Sequence, residues 1–170
     1  MTRDAVSYDF LQVCLATQTL VAFRDGTPFK RYRVSTASRG SGQKMGSEQT
    51  PLGEHVVRLK IGTGEPRAAV FVGRRATGEV WSPSLTRQFP ERDWVLSRIL
   101  WLDGCVRGVN RRGDVDTLRR YIYIHGTPDH EPMGVAASHG CIRMTNDDVI
   151  ELFDRVERGT RVDIVEDAAA

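Results

Sequence analysis

Long apolar runs are missing from these 170 residues: no stretch nears the ~20 consecutive apolar residues of a membrane-spanning helix. The opening MTRDAVSYDFLQVCLATQTLVAF is interrupted by Asp4, Asp9, Gln12, Thr17 and Gln18, so it lacks the basic, apolar and small-residue layout of an export signal. A cytoplasmic location is the resulting expectation. An excess of one charge is missing too. Against 24 Lys and Arg stand 22 Asp and Glu, leaving +2, and the arginines are spread from Arg3 to Arg161 without a basic run. Neither a nucleic-acid groove nor a polybasic membrane patch is indicated. Cysteine is scarce: Cys14, Cys105 and Cys141 are an odd number in unrelated contexts, which argues against a disulfide framework and for a reducing compartment. Internal repeats and low-complexity segments are absent.

What is present suits one hydrophobic core. With 40% hydrophobic residues the chain is long enough for a single domain and short for two. The expected organisation is an N-terminal extension at 1–9, a domain at 10–166 and a frayed tail at 167–170. LQVCLATQTLVAF reads as two strands, RDGTP as a tight turn, and FKRYRVSTA as a third strand with Phe29, Tyr32 and Val34 in the core. Cys14 reads as a packed thiol and Cys105 as a thiol in a turn. The glycine-rich segment 38–53 reads as a surface loop, ordered or mobile. EHVVRLKIG follows as a strand, and AAVFVGRRATGEVW as a strand folded on itself at Arg74 to Gly78. Residues 82–93, with two prolines, form a second excursion.

WVLSRILWL fits both helical and strand periods and is taken as a strand. In RYIYIHGT, alternation places Ile122 and Ile124 on one face and Tyr121, Tyr123 and His125 on the other. One helix is well signalled: Thr145 caps, Asp148 follows at the third position, and Val149, Ile150, Leu152, Phe153 and Val156 mark one face before Gly159. TRVDIVE closes the chain as a strand. The fold class is therefore mainly β with α (α+β), a single domain with one main helix after Cys141.

SHGCIRM, residues 138–144, carries the chemistry. A cysteine attacks carbonyl carbon as thiolate, and a nearby imidazole lowers its pKa and holds the ion pair. His139 is adjacent, but its side chain points away from Cys141 unless Gly140 bends the chain; His125 ends the preceding strand. Gly140 permits a tight bend, and the N–H groups of Gly140 and Cys141 are candidates for an oxyanion hole. Zinc is the rival use of these residues, since His125, His130, His139 and Cys141 supply four ligands, though in no familiar spacing. A packed structural thiol is the third reading. The residues by themselves leave all three open.

YIYIHGT followed after a short gap by SHGCIRM resembles the signature of the L,D-transpeptidase (YkuD-type) catalytic domain. QTLVAFRDG, RYRVSTA, TPLGEHVV, FVGRRATGE and RGVNRRGD extend the resemblance over most of residues 10–165. It implies a mixed β-sandwich with the active site at one edge. It also implies that Cys141 is the acyl-accepting nucleophile, His125 its general base, and the carbonyl of Gly126 the group that orients the imidazole. His139 then lines the site, and Ser138 is a loop hydrogen-bonding residue ahead of a substrate contact. Arg143 pairs either with a substrate carboxylate or in a loop salt bridge, and Tyr123 and Trp81 either line the cleft or simply pack. His130 is solvated. The implied partners are peptidoglycan stem peptides or muropeptide fragments, cleaved between the third, diamino, residue and the terminal D-alanine, with no cofactor, metal, nucleic acid or membrane span. Release of the acyl group to water, an L,D-carboxypeptidase, is narrowly preferred over 3-3 crosslinking or D-amino acid exchange. A non-catalytic muropeptide-binding or zinc-binding protein is the alternative of another class.

Overall fold

The computed structural model describes residues 6–168. The first three strands, β1 (Phe10–Cys14), β2 (Thr19–Arg24) and β3 (Thr27–Arg33), form an antiparallel meander. β4 (Gly53–Ile61) follows the long loop, and β5 (Ala69–Val72) and β6 (Arg75–Val80) make a hairpin. A short helix, α1 (Pro83–Gln88), lies inside the 82–93 excursion. Then come β7 (Val95–Gly104), β8 (Tyr123–Gly126), β9 (Ile142–Met144), α2 (Asn146–Arg155) and β10 (Arg161–Val165).

Pairing joins the strands into one sheet of order β3-β2-β1-β10-β4-β7-β5-β6, with β8 on the other side of β7 and β9 beyond β8. β10 runs parallel to β1 and antiparallel to β4. The residues after β3 then meet β9: Ser35 and Arg143 exchange two backbone hydrogen bonds of 2.9 Å each. This curls the sheet around one core, so Leu11 and Val13 of β1, Leu100 and Leu102 of β7, and Ile124 of β8 belong to one buried cluster. The two-layered arrangement implied by the resemblance is thus a single sheet turned over on itself.

α2 forms where the sequence signals it. The Thr145 side chain accepts from the Asp148 N–H at 3.2 Å, Asp147 and Asp148 sit at the positive end, and Arg155 sits at the negative end. Asn146, Val149, Leu152 and Phe153 form its buried face against β7 and β8. The helix ends at Arg155, ahead of Gly159, because Val156 adopts an extended conformation that turns its side chain into the core. Ile150 is only half-buried.

Three further expectations need correction. Phe29 is 51% exposed while Tyr32 and Val34 are buried. A bulge is the reason: Phe29 is the extra residue where β3 steps from Lys30 to Pro28 opposite Ala22 and Phe23, so its ring reaches Tyr8 at 5.9 Å but stays half in solvent. The strand read in RYIYIHGT begins only at Tyr123; Tyr121 has φ of 57° and is exposed. The extension drawn at 1–9 includes Tyr8, which is buried, with its hydroxyl 2.9 Å from that of Tyr32 and its N–H donating to the Arg155 carbonyl at 2.7 Å. Residues 1–5 of that extension and 169–170 of the expected tail lie outside the described residues.

Candidate active site

β8 and β9 are parallel neighbours, with Ile124 opposite Ile142, His125 opposite Arg143, and Gly126 opposite Met144. Alternation then sorts the side chains into two sets. Ile122, Ile124, Ile142 and Met144 enter the main core, whereas Tyr123, His125, Cys141 and Arg143 share the other side. The two chemical groups 16 positions apart in sequence are therefore neighbours in one short ladder.

His125 is fully buried, and its Nδ1 lies 2.7 Å from the Gly126 carbonyl. A carbonyl only accepts, so the ring keeps its proton on Nδ1 and carries its lone pair on Nε2. Burial pushes the imidazole below its ordinary pKa, partly opposed by the Gly126 bond and by Asp93. Gly126 cannot be larger: a Cβ there would stand 2.6 Å from the Leu96 carbonyl and 2.7 Å from Asn146 Oδ1. β7 has a bulge opposite this point, between Leu96 and Ile99, where Ser97 has φ of 70°. Ser97 Oγ receives the Ala68 N–H at 2.8 Å and donates to Asn146 Oδ1 at 2.6 Å, while Asn146 Nδ2 donates to the Thr127 carbonyl at 3.0 Å. The first residue of α2 thus locks the strand end that carries His125.

Cys141 is half-buried, with Sγ 3.3 Å from both the Tyr123 N–H, which donates to it, and the Tyr121 carbonyl, which accepts the thiol proton. Burial pushes the thiol up to about 12, with the Tyr123 N–H, Arg143 and Arg120 pulling down and Asp93 pushing up. The resting pair is therefore a neutral thiol beside a neutral imidazole. The expected preformed thiolate–imidazolium pair is thus disfavoured by burial at both partners.

The loop before Cys141 is built by hydrogen bonds. Ser138 is buried, donates to the Cys141 carbonyl at 2.6 Å and receives the Gly140 N–H at 3.2 Å. The Gly140 N–H thus has a partner within the loop, and the backbone donor in contact with the sulfur is that of Tyr123. Gly140 has φ of 133°, and a Cβ would come within 3.3 Å of the Gln49 carbonyl and Ile122. Its carbonyl accepts from Thr50 Oγ1 at 2.9 Å. The 38–53 loop is fastened to the site by this contact and by Arg120, which donates to the Gly42 and Gln49 carbonyls at 3.1 and 2.6 Å.

Arg143 is buried and engaged within the protein: Nη2 meets Asp93 Oδ1 at 2.9 Å, Nη1 meets the Ala137 carbonyl at 3.3 Å, and Nε has no partner. Of its two expected uses, the loop salt bridge is the one formed. His139 is exposed and faces Asp93 at 3.7 Å. Asp93 and Arg120 both belong to the site and neither carried a motif. Tyr123 is buried, its ring edge-on to Trp101 at 5.6 Å. Trp81 packs in a second core with Trp94 and donates to Thr86 Oγ1 at 2.9 Å, away from the ladder. His130 is exposed and lies against Trp81 at 5.7 Å. Among the described residues no three His, Cys, Asp or Glu side chains converge as a metal site, so the four rival zinc ligands are not assembled.

Comparison with known proteins now bears on this geometry. A family model described as the L,D-transpeptidase catalytic domain, YkuD, matches residues 9–164. The putative L,D-transpeptidase YqjB of Bacillus subtilis is 52% identical over 44 residues, 26% of this chain and 25% of that protein. The probable L,D-transpeptidase ErfK/SrfK of Salmonella typhimurium is 49% identical over 47 residues, 28% and 15% of the two chains. Among solved structures, an L,D-transpeptidase from Xylanimonas cellulosilytica superposes with a TM-score of 0.52 at 21% identity, covering 96% of this chain and 63% of that one. L,D-transpeptidase 3 from Mycobacterium tuberculosis, in complex with a faropenem-derived adduct, gives 0.55 at 16%, covering 92% and 60%. The matches thus span a quarter or less of these curated relatives, and the two structural likenesses speak to the fold. With the family model running from the edge of β1 almost to the end of β10, this chain belongs to the L,D-transpeptidase catalytic domain family.

Proposed function

We propose that this chain is a cysteine acyl-transfer enzyme that opens the bond between the diamino third residue and the terminal D-alanine of peptidoglycan stem tetrapeptides. One observation carries the reading: the tautomer-locked His125 and the Cys141 sulfur share one face of the β8–β9 ladder. In the first step Sγ bonds to the carbonyl carbon and its proton passes to His125 Nε2. The C–N bond to D-alanine then breaks, and the imidazolium returns the proton to the leaving amine. Gly126 keeps the imidazole in the required tautomer throughout. In the second step His125 takes a proton from the acceptor as it attacks the thioester, and the released sulfur is reprotonated.

Water is the preferred acceptor, which makes the product a tripeptide and the activity an L,D-carboxypeptidase acting on soluble stem peptides or muropeptides in the cytoplasm. The relatives' names, L,D-transpeptidases, favour the second reading, in which an amine forms a 3-3 crosslink or exchanges the D-amino acid. Mass spectrometry with a diaminopimelate-containing tetrapeptide, with and without an amine acceptor, separates them. Tripeptide alone supports hydrolysis; dimer or exchanged peptide supports transpeptidation; neither product, together with no acyl mass on Cys141, overturns the enzyme reading. Faropenem offers an independent probe, expected to leave an adduct on Cys141, because the Mycobacterium tuberculosis structure holds one. Cell fractionation that found the protein in the envelope would remove the cytoplasmic part of the proposal.

A further inference from the structure

Two arginines act on the Cys141 thiol, and both are occupied; a third, Arg74, reaches the tyrosines beside it. Arg143 holds Asp93, and Arg120 holds the carbonyls of the 38–53 loop. Arg74 differs: among the described residues it pairs with no carboxylate. It is nevertheless firmly placed. Its guanidinium lies 5.1 Å from the Trp101 ring centroid and 4.8 Å from that of Tyr121, and Nη1 donates to the Tyr123 hydroxyl at 3.4 Å. Trp101 is itself anchored, donating through Nε1 to the Leu118 carbonyl at 3.0 Å. Stacking on two aromatic faces fixes the cation while leaving its in-plane N–H groups free for an anion.

The backbone at Arg74 points the same way. Gly73 and Arg74 form the two-residue turn between β5 and β6, with φ of 55° and 66°. Such a turn favours glycine or asparagine at both positions, and a long side chain in the left-handed region costs roughly 1 kcal/mol or more. Arginine is held there against its own preference, and the turn swings it onto the aromatic plates.

Those plates are continuous with the nucleophile. Tyr121 and Tyr123 supply the carbonyl and the N–H that contact Cys141 Sγ, and Cys141 packs against the cluster of Phe71, Ile99, Tyr123 and Trp101. The run from Tyr121 to Tyr123 therefore touches the sulfur through its backbone and the guanidinium through its side chains. In a stem tetrapeptide the last carboxylate stands one residue beyond the attacked carbonyl, ~3.5 Å along an extended chain. Arg74, held by the side chains of the two tyrosines whose backbone flanks the sulfur, is the cation on that side left open to such a group.

We propose that Arg74, oriented by Trp101, Tyr121 and Tyr123, binds the terminal carboxylate of the acyl donor and so selects peptides whose scissile bond is the last one. This rests on the acyl-transfer reading above and names the specificity determinant of that site. A charge-assisted, bidentate pair would favour a free C-terminal acid over its neutral amide by ~10-fold or more.

The test compares Cys141 acylation rates, by intact-protein mass, for a tetrapeptide ending in free D-alanine and for its C-terminal amide. Wild type should prefer the acid by about tenfold, Arg74→Gln should bring the ratio close to one, and Arg74→Lys should keep part of the preference. If Arg74 merely props up the aromatic residues, Arg74→Gln lowers both rates together and leaves the ratio unchanged, which overturns the proposal. A second measurement does not depend on peptide turnover: alkylation of Cys141 by iodoacetate relative to iodoacetamide, located by peptide mapping. Arg74→Gln should lower that ratio about threefold or more; an unchanged ratio overturns the proposal. Inert peptides combined with an Arg74-dependent iodoacetate preference would reject the tetrapeptide reading and leave the anion site standing.

Discussion

The two faces of the β8–β9 ladder have the same backbone and opposite tasks. On one, Ile122, Ile124, Ile142 and Met144 are at most 3% exposed and meet side chains from both layers of the folded sheet. On the other, Tyr123, His125, Cys141 and Arg143 are also largely enclosed, yet their neighbours are carbonyls, N–H groups and a carboxylate. Burial on the first face stabilises by removing apolar surface from water; on the second it favours the neutral forms of the His125 imidazole and the Cys141 thiol. Alternation along strands of four and three residues is enough to separate the functions.

Substitutions should divide the faces cleanly. Cys141→Ala should abolish adduct formation, and His125→Ala should lower the acylation rate by about 10³-fold or more, each with a far smaller change in unfolding free energy. Intact mass and denaturant unfolding on the same samples check both halves. Ile124→Ala should do the reverse, costing ~2–5 kcal/mol of stability through the cavity it leaves, while the remaining folded fraction still acylates. Equal loss of stability from Cys141→Ala and Ile124→Ala would erase the distinction.

Changing pH sharpens the comparison. Because burial lowers the His125 pKa below 6.5, its lone pair survives below that pH. The acylation rate should hold through pH 6.5 and fall only as the lowered value is crossed; an acid limb centred at 6.5 or above would contradict this. The Cys141 thiol, pushed up to about 12, should be alkylated by iodoacetamide about tenfold faster per pH unit up to pH 10, with no plateau near 9. His55 offers a structural counterpart: buried between the Gly53 carbonyl and the Thr117 hydroxyl, it is lowered to about 4. The unfolded chain binds a proton there below pH 6.5 that the folded chain refuses, so stability present above 6.5 is lost as pH falls toward 4, by up to about 3 kcal/mol. His55→Gln should flatten that part of the pH–stability curve. The smallest effect belongs to His130→Ala, expected within about 0.5 kcal/mol and twofold in rate, since its exposed ring lies against Trp81 and near Glu131 at the surface.

Local rules carried much of this into the sequence. Thr145, Asp148 and the apolar positions that follow signal α2; alternation in YIYIH signals the face that holds His125; and the resemblance pairs His125 with Cys141. What escaped depends on contacts distant in sequence. Asp93 lies in a polar, proline-bearing stretch and becomes part of the site only because Arg143, 50 positions on, turns toward it. Arg120 looks like one of many surface arginines until the 38–53 loop closes over it. The partner of the Gly140 N–H is a hydroxyl two residues earlier, and nothing in sequence says which way that hydroxyl turns. Phe29 is half-exposed because of a bulge that no local pattern announces: the β2–β3 register slips there by one residue.

The position of β10 bears on how the chain assembles. The β1–β2–β3 meander reaches the rest of the sheet through β10, which pairs residues 10–14 with residues 161–165, roughly 150 positions away. During synthesis those first strands therefore expose an open edge until the last strand arrives to fill it. Such non-local closure slows folding and lengthens exposure to aggregation. β3, the opposite edge of that meander, carries Pro28, Lys30, Arg31 and Arg33, residues that discourage another chain from pairing along it while the β1 edge waits for β10.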